Sequence, residues 1–192
     1  MFDSFKKYIN DKAKLTNEEL EKIKSLSSEK RLRKKQYLLQ EGEVNKYTTF
    51  IVKGCLRTYR VSDDGSEHIL SFGIENWWVG DLESKTTGLP SKSNIEAVED
   101  SDLLVWPIKD FDFLLETIPE LKSFNEKAFQ RSLAAFNNRI YNVIGYSAEE
   151  KYREFIKINP DIFNRVPLHM IASYLGLSRK TLSRIRSLDA YK

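Results

Sequence analysis

The sequence predicts an α+β protein: an antiparallel β-roll, of the double-stranded β-helix or jelly-roll type, followed by a long helix and a small helix-turn-helix. Apolar residues have helical spacing up to about residue 28, strand-like spacing from about residue 31 to 107, and helical spacing again after that. Short strands with no helices between them are typical of an antiparallel barrel or roll rather than a parallel sheet. We therefore divide the chain into a roll with N-terminal helices at 1–118, a long helix at 119–145 and a helix-turn-helix unit at 146–192.

Two short amphipathic helices are predicted before the roll. The second begins near Thr16, which has Glu19 three residues later in the pattern of a capping box. One hairpin of the roll is explicit, because Cys55–Val61 and Glu67–Phe72 alternate in polarity and flank an Asp-Gly turn. Further strands are predicted at 36–40, 47–52, 77–79, 94–98 and 103–106.

The composition argues against several kinds of metal site. The chain of 192 residues carries 31 Lys and Arg against 28 Asp and Glu, with one Cys and two His. An iron–sulfur cluster takes about four Cys ligands and a structural zinc about four Cys or His, so we expect neither. The sequence has no basic and apolar leader and no apolar run of ~18 residues, so we expect a soluble, cytoplasmic protein with no membrane partner.

The predicted long helix carries an apolar stripe that continues for about 24 residues, or roughly 36 Å at 1.5 Å per residue. Such a stripe is buried against the roll, against the C-terminal unit or against a second copy of the chain. We predict the last of these, a homodimer. Its interface is predicted to consist of Phe129, Leu133, Phe136, Ile140 and Ile144.

The most specific pattern in the chain is the run Leu168–Ser187. Two short helices that cross over a three-residue turn need a small residue where they touch and a glycine in the turn, and Ala172 and Gly176 fill these positions. Apolar residues must also hold both helices to one core. The predicted inward set is Ile171, Leu175, Leu177, Leu182 and Ile185. These positions together predict a helix-turn-helix.

The second helix of this unit presents hydrogen-bond donors. Ser178 is a suitable N-cap, and the outward side chains of the next two turns are Arg179, Lys180, Thr181, Ser183 and Arg184. Arginine and lysine address guanine in the major groove, while hydroxyls and a helix N-terminus bind phosphate. The net charge of +6 over 119–192 agrees with a DNA partner, although a solvated basic face is the alternative interpretation.

The whole order of elements resembles the CRP/FNR family of bacterial transcription regulators. The resemblance is strong in Gly176–Arg184, and it extends to Gln40–Glu43, Phe50–Gly54 and Gly80-Asp81-Leu82. It implies a roll that senses a small effector, a parallel dimer and a pseudo-palindromic DNA operator, with RNA polymerase as a further candidate partner. By this match Arg179, Lys180 and Arg184 contact bases, and Ser178 and Thr181 contact the backbone. Lys180 stands where an acidic residue is common, which implies a different half-site.

The match is weaker at the effector pocket. Cyclic-nucleotide binders of the family use a Gly-Glu-Leu turn and an Arg-Ser pair that takes the cyclic phosphate. Here the turn has a shorter acid, and Ser91 falls at the arginine position, which leaves Lys92 as the nearest cation. The candidate effector residues are Trp78, Gly80, Asp81, Leu82, Ser91 and Lys92. The sequence leaves the ligand of this pocket open: it is a cyclic nucleotide, another small ligand, or none, so the cofactor is unknown.

Two other functions compete with this interpretation. One is a cyclic-nucleotide sensor that binds no DNA, which the helix-turn-helix disfavours. The other is an enzyme on a β-barrel of the cupin type, which gathers two or three His and a carboxylate around a metal. His68 and His169 lie far apart in the sequence, so we predict no catalytic residues and no metal ligands. Any β-wing either comes from the loop at 159–166 or is vestigial, and the sequence leaves both open.

Overall fold

The computed structural model describes residues 1–189, so the last three residues of the predicted helix-turn-helix unit, 190–192, lie outside the described residues. Two N-terminal helices precede the roll, α1 (Phe2–Asn10) and α2 (Asn17–Ser25). The predicted capping box at the start of α2 is confirmed, since the Thr16 hydroxyl accepts a hydrogen bond from the Glu19 N–H while the Glu19 carboxylate accepts one from the Thr16 N–H.

The roll consists of two four-stranded antiparallel sheets. In chain order the strands are β1 (Ser28–Leu32), β2 (Tyr37–Leu39), β3 (Tyr47–Lys53), β4 (Leu56–Val61), β5 (Glu67–Gly73), β6 (Trp78–Val79), β7 (Asn94–Ala97) and β8 (Ser101–Pro107). The first sheet has the order β1-β8-β3-β6 and the second sheet has the order β2-β7-β4-β5. The predicted hairpin is confirmed as β4 and β5, but a register shift between Thr58 and Tyr59 interrupts its simple alternation.

Apolar side chains fill the space between the two sheets. The buried members of this inner core are Leu32, Leu39, Ile51, Leu56, Ile95, Ala97, Leu103 and Val105. The N-terminal helices cover the outer face of the first sheet through a cluster of aromatic rings, in which Phe5 contacts Phe50, Trp78 and Trp106. The indole N–H of Trp106 donates to the carbonyl of Ile23 at 2.9 Å, which fixes α2 to the sheet.

One short helix of the roll was not predicted. It is α3 (Leu82–Thr87), which is capped by the Asp81 carboxylate accepting from the Ser84 N–H and ends at Gly88 in the left-handed conformation. Six residues are too few to show a helical period, which is why periodicity did not reveal this helix. A further short helix, α4 (Ile108–Thr117), follows the last strand.

The C-terminal part of the chain is entirely helical within the described residues. Its helices are α5 (Pro119–Gly145), α6 (Ala148–Ile158), α7 (Pro160–Arg165), α8 (Leu168–Leu175) and α9 (Arg179–Asp189). Of the two alternatives for a β-wing, the loop at 159–166 does not form one, because Pro160 begins helix α7 there. No helix in residues 1–189 combines the length and apolar character needed to cross a membrane.

The helices of the C-terminal unit share a core with the outer face of the second sheet. From the roll this core takes Cys55, Tyr59, Ile69, Phe72 and Val98. From the helices it takes Tyr152, Phe155, Ile162, Val166, Ile171, Ala172, Leu175, Leu182 and Ile185. The roll and the unit at 146–189 are therefore packed together in this structure.

Arg165 links α7 to the roll by ion pairs. Its guanidinium donates to both carboxylate oxygens of Glu75, at 2.7 and 2.9 Å, and it also pairs with Glu99. Burial raises the pKa of Glu75, but hydrogen bonds from Arg165 and from the Gly54 N–H outweigh it, so the pKa lies below the ordinary value of 4.5. The charged form of Glu75 is thus favoured in the folded state.

We expect the Arg165→Met substitution to lower the free energy of unfolding by about 1–2 kcal/mol at neutral pH, because two carboxylates lose their shared cation. A carboxyl with a lowered pKa stabilises the fold above its unfolded pKa, and this contribution is lost as the pH falls through the folded pKa. The difference between wild type and variant should therefore shrink at about pH 3, measured by urea unfolding.

The matched control is Lys157→Met, which removes the ion pair between Lys157 and Glu154. Their charged atoms lie 3.9 Å apart, and the lysine side chain is 78% exposed. This change should cost less than about 0.5 kcal/mol at either pH. Equal losses for the two variants would contradict the assigned role of Arg165.

Candidate functional site

The helix-turn-helix has the geometry that its sequence predicts. Gly176 ends α8 with φ of +66°, in the left-handed region that glycine adopts without strain. The N–H of Leu177 then donates to the carbonyl of Ala172 at 2.9 Å, which closes the turn. Leu182 and Ile185 on α9 are almost completely buried, so the opposite face of α9 points away from the core.

The exposed face of α9 carries the side chains predicted to bind DNA. The Ser178 hydroxyl caps the helix by accepting from the Thr181 N–H at 3.0 Å, and the two hydroxyls lie 2.8 Å apart. Thr181 is half-buried, whereas the remaining predicted residues of the helix are exposed. A surface cleft of about 680 Å³ is lined by Arg179, Lys180, Ser183, Arg184 and Ser187.

The three cations of this face have no counter-ion among the side chains of residues 1–188. Within residues 1–188, no carboxylate pairs with Arg179, Lys180 or Arg184. Positively charged side chains with free hydrogen-bond donors can donate to guanine O6 and N7, or to phosphate oxygens, without first breaking an internal ion pair. His169, on α8, is exposed.

The predicted dimer interface is an exposed apolar stripe on α5. Its five residues are 44–80% exposed, with Phe129 and Leu133 at 51%, Phe136 at 55%, Ile140 at 44% and Ile144 at 80%. The fully buried apolar residues of the helix are Leu121 and Phe124 in its first turns, which pack against the N-terminal aromatic cluster. The stripe therefore has no apolar partner within the described part of the chain.

The predicted effector residues come together only in part. Asp81 and Ser91 meet at the start of α3, where the Ser91 hydroxyl donates to one Asp81 oxygen at 2.6 Å while the other oxygen caps the helix. Gly80 lies against Asn45, and Leu82 is 55% exposed. Both carboxylate oxygens of Asp81 are therefore used within the chain.

Two of the predicted effector residues lie apart from this bond. Lys92 is exposed and pairs with Glu83 at 3.4 Å. The expectation for Trp78 needs correction: its ring contacts Phe50 and Phe111 in the aromatic cluster under the N-terminal helices. Trp78 is only two residues from Gly80 in the sequence. Because side chains alternate along a strand, its side chain lies on the outer face of the first sheet.

The sequence did not identify the residues that hold the helix-turn-helix in place. Arg139 of α5 donates to the carbonyls of Ile69 and Leu70 at the edge of β5 and to that of Tyr174 on α8, and burial lowers its pKa. Ser173 accepts from the Ile69 N–H at 3.0 Å and donates to the Glu67 carbonyl at 2.8 Å. Their partners are backbone groups distant in sequence, which leave no signal in the residue pattern.

Comparison with known proteins finds similar sequences and folds. The model for the cyclic nucleotide-binding domain matches residues 29–118. The transcriptional activator protein anr of Pseudomonas aeruginosa is 22% identical over 89% of this chain and 74% of its own. A transcriptional regulator of the CRP/FNR family from Eubacterium rectale has a solved structure that superposes with a TM-score of 0.70 at 18% identity, covering 93% of this chain and 85% of that one. Over most of its length the chain is thus similar to transcription regulators of the CRP/FNR family.

A second solved structure supports the same fold. FixK2 from Bradyrhizobium japonicum has a TM-score of 0.68 at 20% identity, covering 84% of this chain and 83% of that one. The predicted α+β fold class, with a roll, a long helix and C-terminal helices, is thus confirmed. Its individual contact residues remain predictions.

We expect Ser178→Ala to lower the free energy of unfolding by about 1 kcal/mol, because the Thr181 N–H at the start of α9 loses its acceptor. Ser187→Ala is the matched control, since this exposed hydroxyl donates only to the Ser183 carbonyl of its own helix. The control should leave stability within about 0.3 kcal/mol of wild type. Thermal and urea unfolding of both variants measures the difference. An unchanged free energy of unfolding in Ser178→Ala would contradict the role of Ser178 as a stabilising cap.

Proposed function

We propose that this protein is a homodimeric, sequence-specific DNA-binding transcription regulator. The observation that carries the proposal is the unpaired cationic edge of α9, presented by a helix-turn-helix whose apolar side is buried. Among the rival functions, a nucleotide sensor that binds no DNA has no use for such an edge. A cupin-type enzyme lacks support as well, since no three His, Cys, Asp or Glu side chains within the described residues could together hold a metal ion.

In this proposal α9 enters the major groove with its N-terminal turns against the bases. Arg179 and Arg184 are assigned to guanine edges, because a guanidinium can donate to O6 and N7 at once. Lys180 is assigned to the same class of acceptor, since an ammonium cannot accept from the amino group of cytosine. Ser178 and Thr181 lie at the helix N-terminus, where hydroxyls and N–H groups bind phosphate.

The dimer places two recognition helices on one duplex. Pairing of the α5 stripe around a two-fold axis would put successive half-sites about 34 Å apart, which is one turn of DNA. The operator is then a pseudo-palindrome. Arg139 supports this arrangement, because it ties α8 to the same helix that carries the stripe.

The proposed regulator responds to a small effector and acts on transcription together with RNA polymerase in the cytoplasm, where its DNA is found. An effector changes the DNA affinity only if it binds one arrangement of the chain more tightly than another. The Asp81–Ser91 bond and the missing arginine argue against a cyclic nucleotide in the family's manner.

We expect Arg184→Ala to weaken binding to the selected operator by about 1–3 kcal/mol and to relax the preference at one base position of each half-site. Arg31→Ala is the control, because Arg31 is an exposed arginine of β1, 80% exposed and paired with Asp102. The measurement is fluorescence anisotropy after selection from random duplexes, at two salt concentrations. Unchanged affinity and preference in Arg184→Ala would remove this residue from the interface.

We expect Phe136→Glu to convert the protein to a monomer, because a charge at the centre of an apolar stripe cannot be buried unpaired. Asn138→Glu introduces the same charge on the opposite side of α5, where the side chain is also exposed. The control should remain a dimer. Light scattering at micromolar concentration distinguishes the two, and a wild-type monomer in the presence of DNA would contradict the proposed assembly.

A further inference from the structure

A second cleft opens at one end of the roll and has no lining residue in common with the cleft on α9. Its volume is about 400 Å³, which is within the usual range for small-molecule sites. It lies between the first sheet and β2. Its lining residues are Lys30, Leu38, Leu39, Glu43, Val44, Asn45, Lys46, Tyr47 and Thr49.

The floor of the cleft is closed and mainly apolar. Leu39 belongs to the inner core of the roll and is 5% exposed, and Thr49 beside it is 2% exposed. Leu38 and Val44 add half-buried apolar surface. A ligand in this cleft therefore needs an apolar body.

A lysine stands on the inner side of β1 at this cleft. Side chains alternate along a strand, so Lys30 shares its face with Leu32 of the inner core. Lys30 is half-buried, and within residues 1–188 its ammonium has no carboxylate or hydrogen-bond partner. Its neighbours differ, because Glu29 pairs with the N-terminal amine and Arg31 with Asp102.

The only acidic side chain of the lining is already engaged. The Glu43 carboxylate accepts a hydrogen bond from the Gln40 N–H at 2.9 Å, within the turn after β2. Lys46 adds a second, exposed cation to the lining. The cleft thus combines an apolar floor with two lysines and one carboxylate, and within residues 1–188 no carboxylate forms an ion pair with Lys30.

We propose that this cleft binds a small organic anion, a carboxylate whose apolar body rests on Leu39 and whose charged group pairs with Lys30. The site differs from the Asp81–Ser91 region, where the polar groups are satisfied by one another.

The cleft is connected to the Asp81 region through Asn45. This residue is 9% exposed; its N–H donates to the Ser84 hydroxyl at 2.9 Å and its side-chain amide donates to the Asp81 carbonyl at 3.1 Å. An occupant that contacts Asn45 therefore acts on the first turn of α3. The role of the anion as an effector rests on the proposed function, whereas its binding to the cleft does not.

The test is a titration of the full chain with 1-naphthoate and with the uncharged 1-naphthamide, followed by calorimetry and by amide NMR shifts. We expect naphthoate to bind about tenfold more tightly than the amide, with shifts centred on residues 43–49. Lys30→Met should reduce naphthoate binding to the level of the amide, and Lys30→Arg should retain it. Lys53→Met, at the exposed end of β3, is the control and should bind as wild type does.

Equal affinities for the two compounds, no naphthoate binding at millimolar concentration, or unchanged binding in Lys30→Met would overturn the proposal. Shifts confined to the α5 stripe would do the same, because they would report adsorption to exposed apolar surface. The unfolding midpoint of each variant shows that it is folded. Operator binding is measured on the same samples, so a protein that binds naphthoate without binding DNA would contradict only the proposed function.

Discussion

The core shared by the second sheet and the C-terminal helices is the constraint on which the arrangement of this protein depends. A unit of about 40 residues buries too little surface to be stable by itself without a partner. Here Phe155 and Leu175 pack in one cluster with Ile69 and Phe72 of the roll. The recognition helix is held by that cluster through Leu182 and Ile185, so its orientation follows from the position of the roll.

Apolar packing alone would allow the helices to slide over the sheet, and directional bonds prevent this. β5 is the edge strand of the second sheet, and an edge strand presents unpaired N–H and carbonyl groups. Ser173 binds an N–H and a carbonyl of that edge, and Arg139 binds two further carbonyls. These contacts protect the edge from other chains and set the register between the roll and α8.

The local features of the fold could be predicted from the sequence, and the long-range ones could not. Gly176 and Ser178 act within a few residues of themselves, so the type and spacing of their neighbours identified their roles. Arg139 has the pattern of a solvated charge on a helix, yet its guanidinium is placed against backbone carbonyls about 70 residues away. Trp78 shows the same limit, because its proximity to Gly80 in sequence gave no information about which face of the sheet it occupies.

The covering of the roll also explains why the stripe on α5 stays exposed. The N-terminal helices occupy the outer face of the first sheet, and the C-terminal helices occupy the outer face of the second. Neither face is left to receive the stripe, and its five residues are 44–80% exposed within residues 1–189. A second copy offers an identical stripe, and a two-fold axis brings the same residues of both chains together. In the proposed dimer, the two exposed stripes would bury each other.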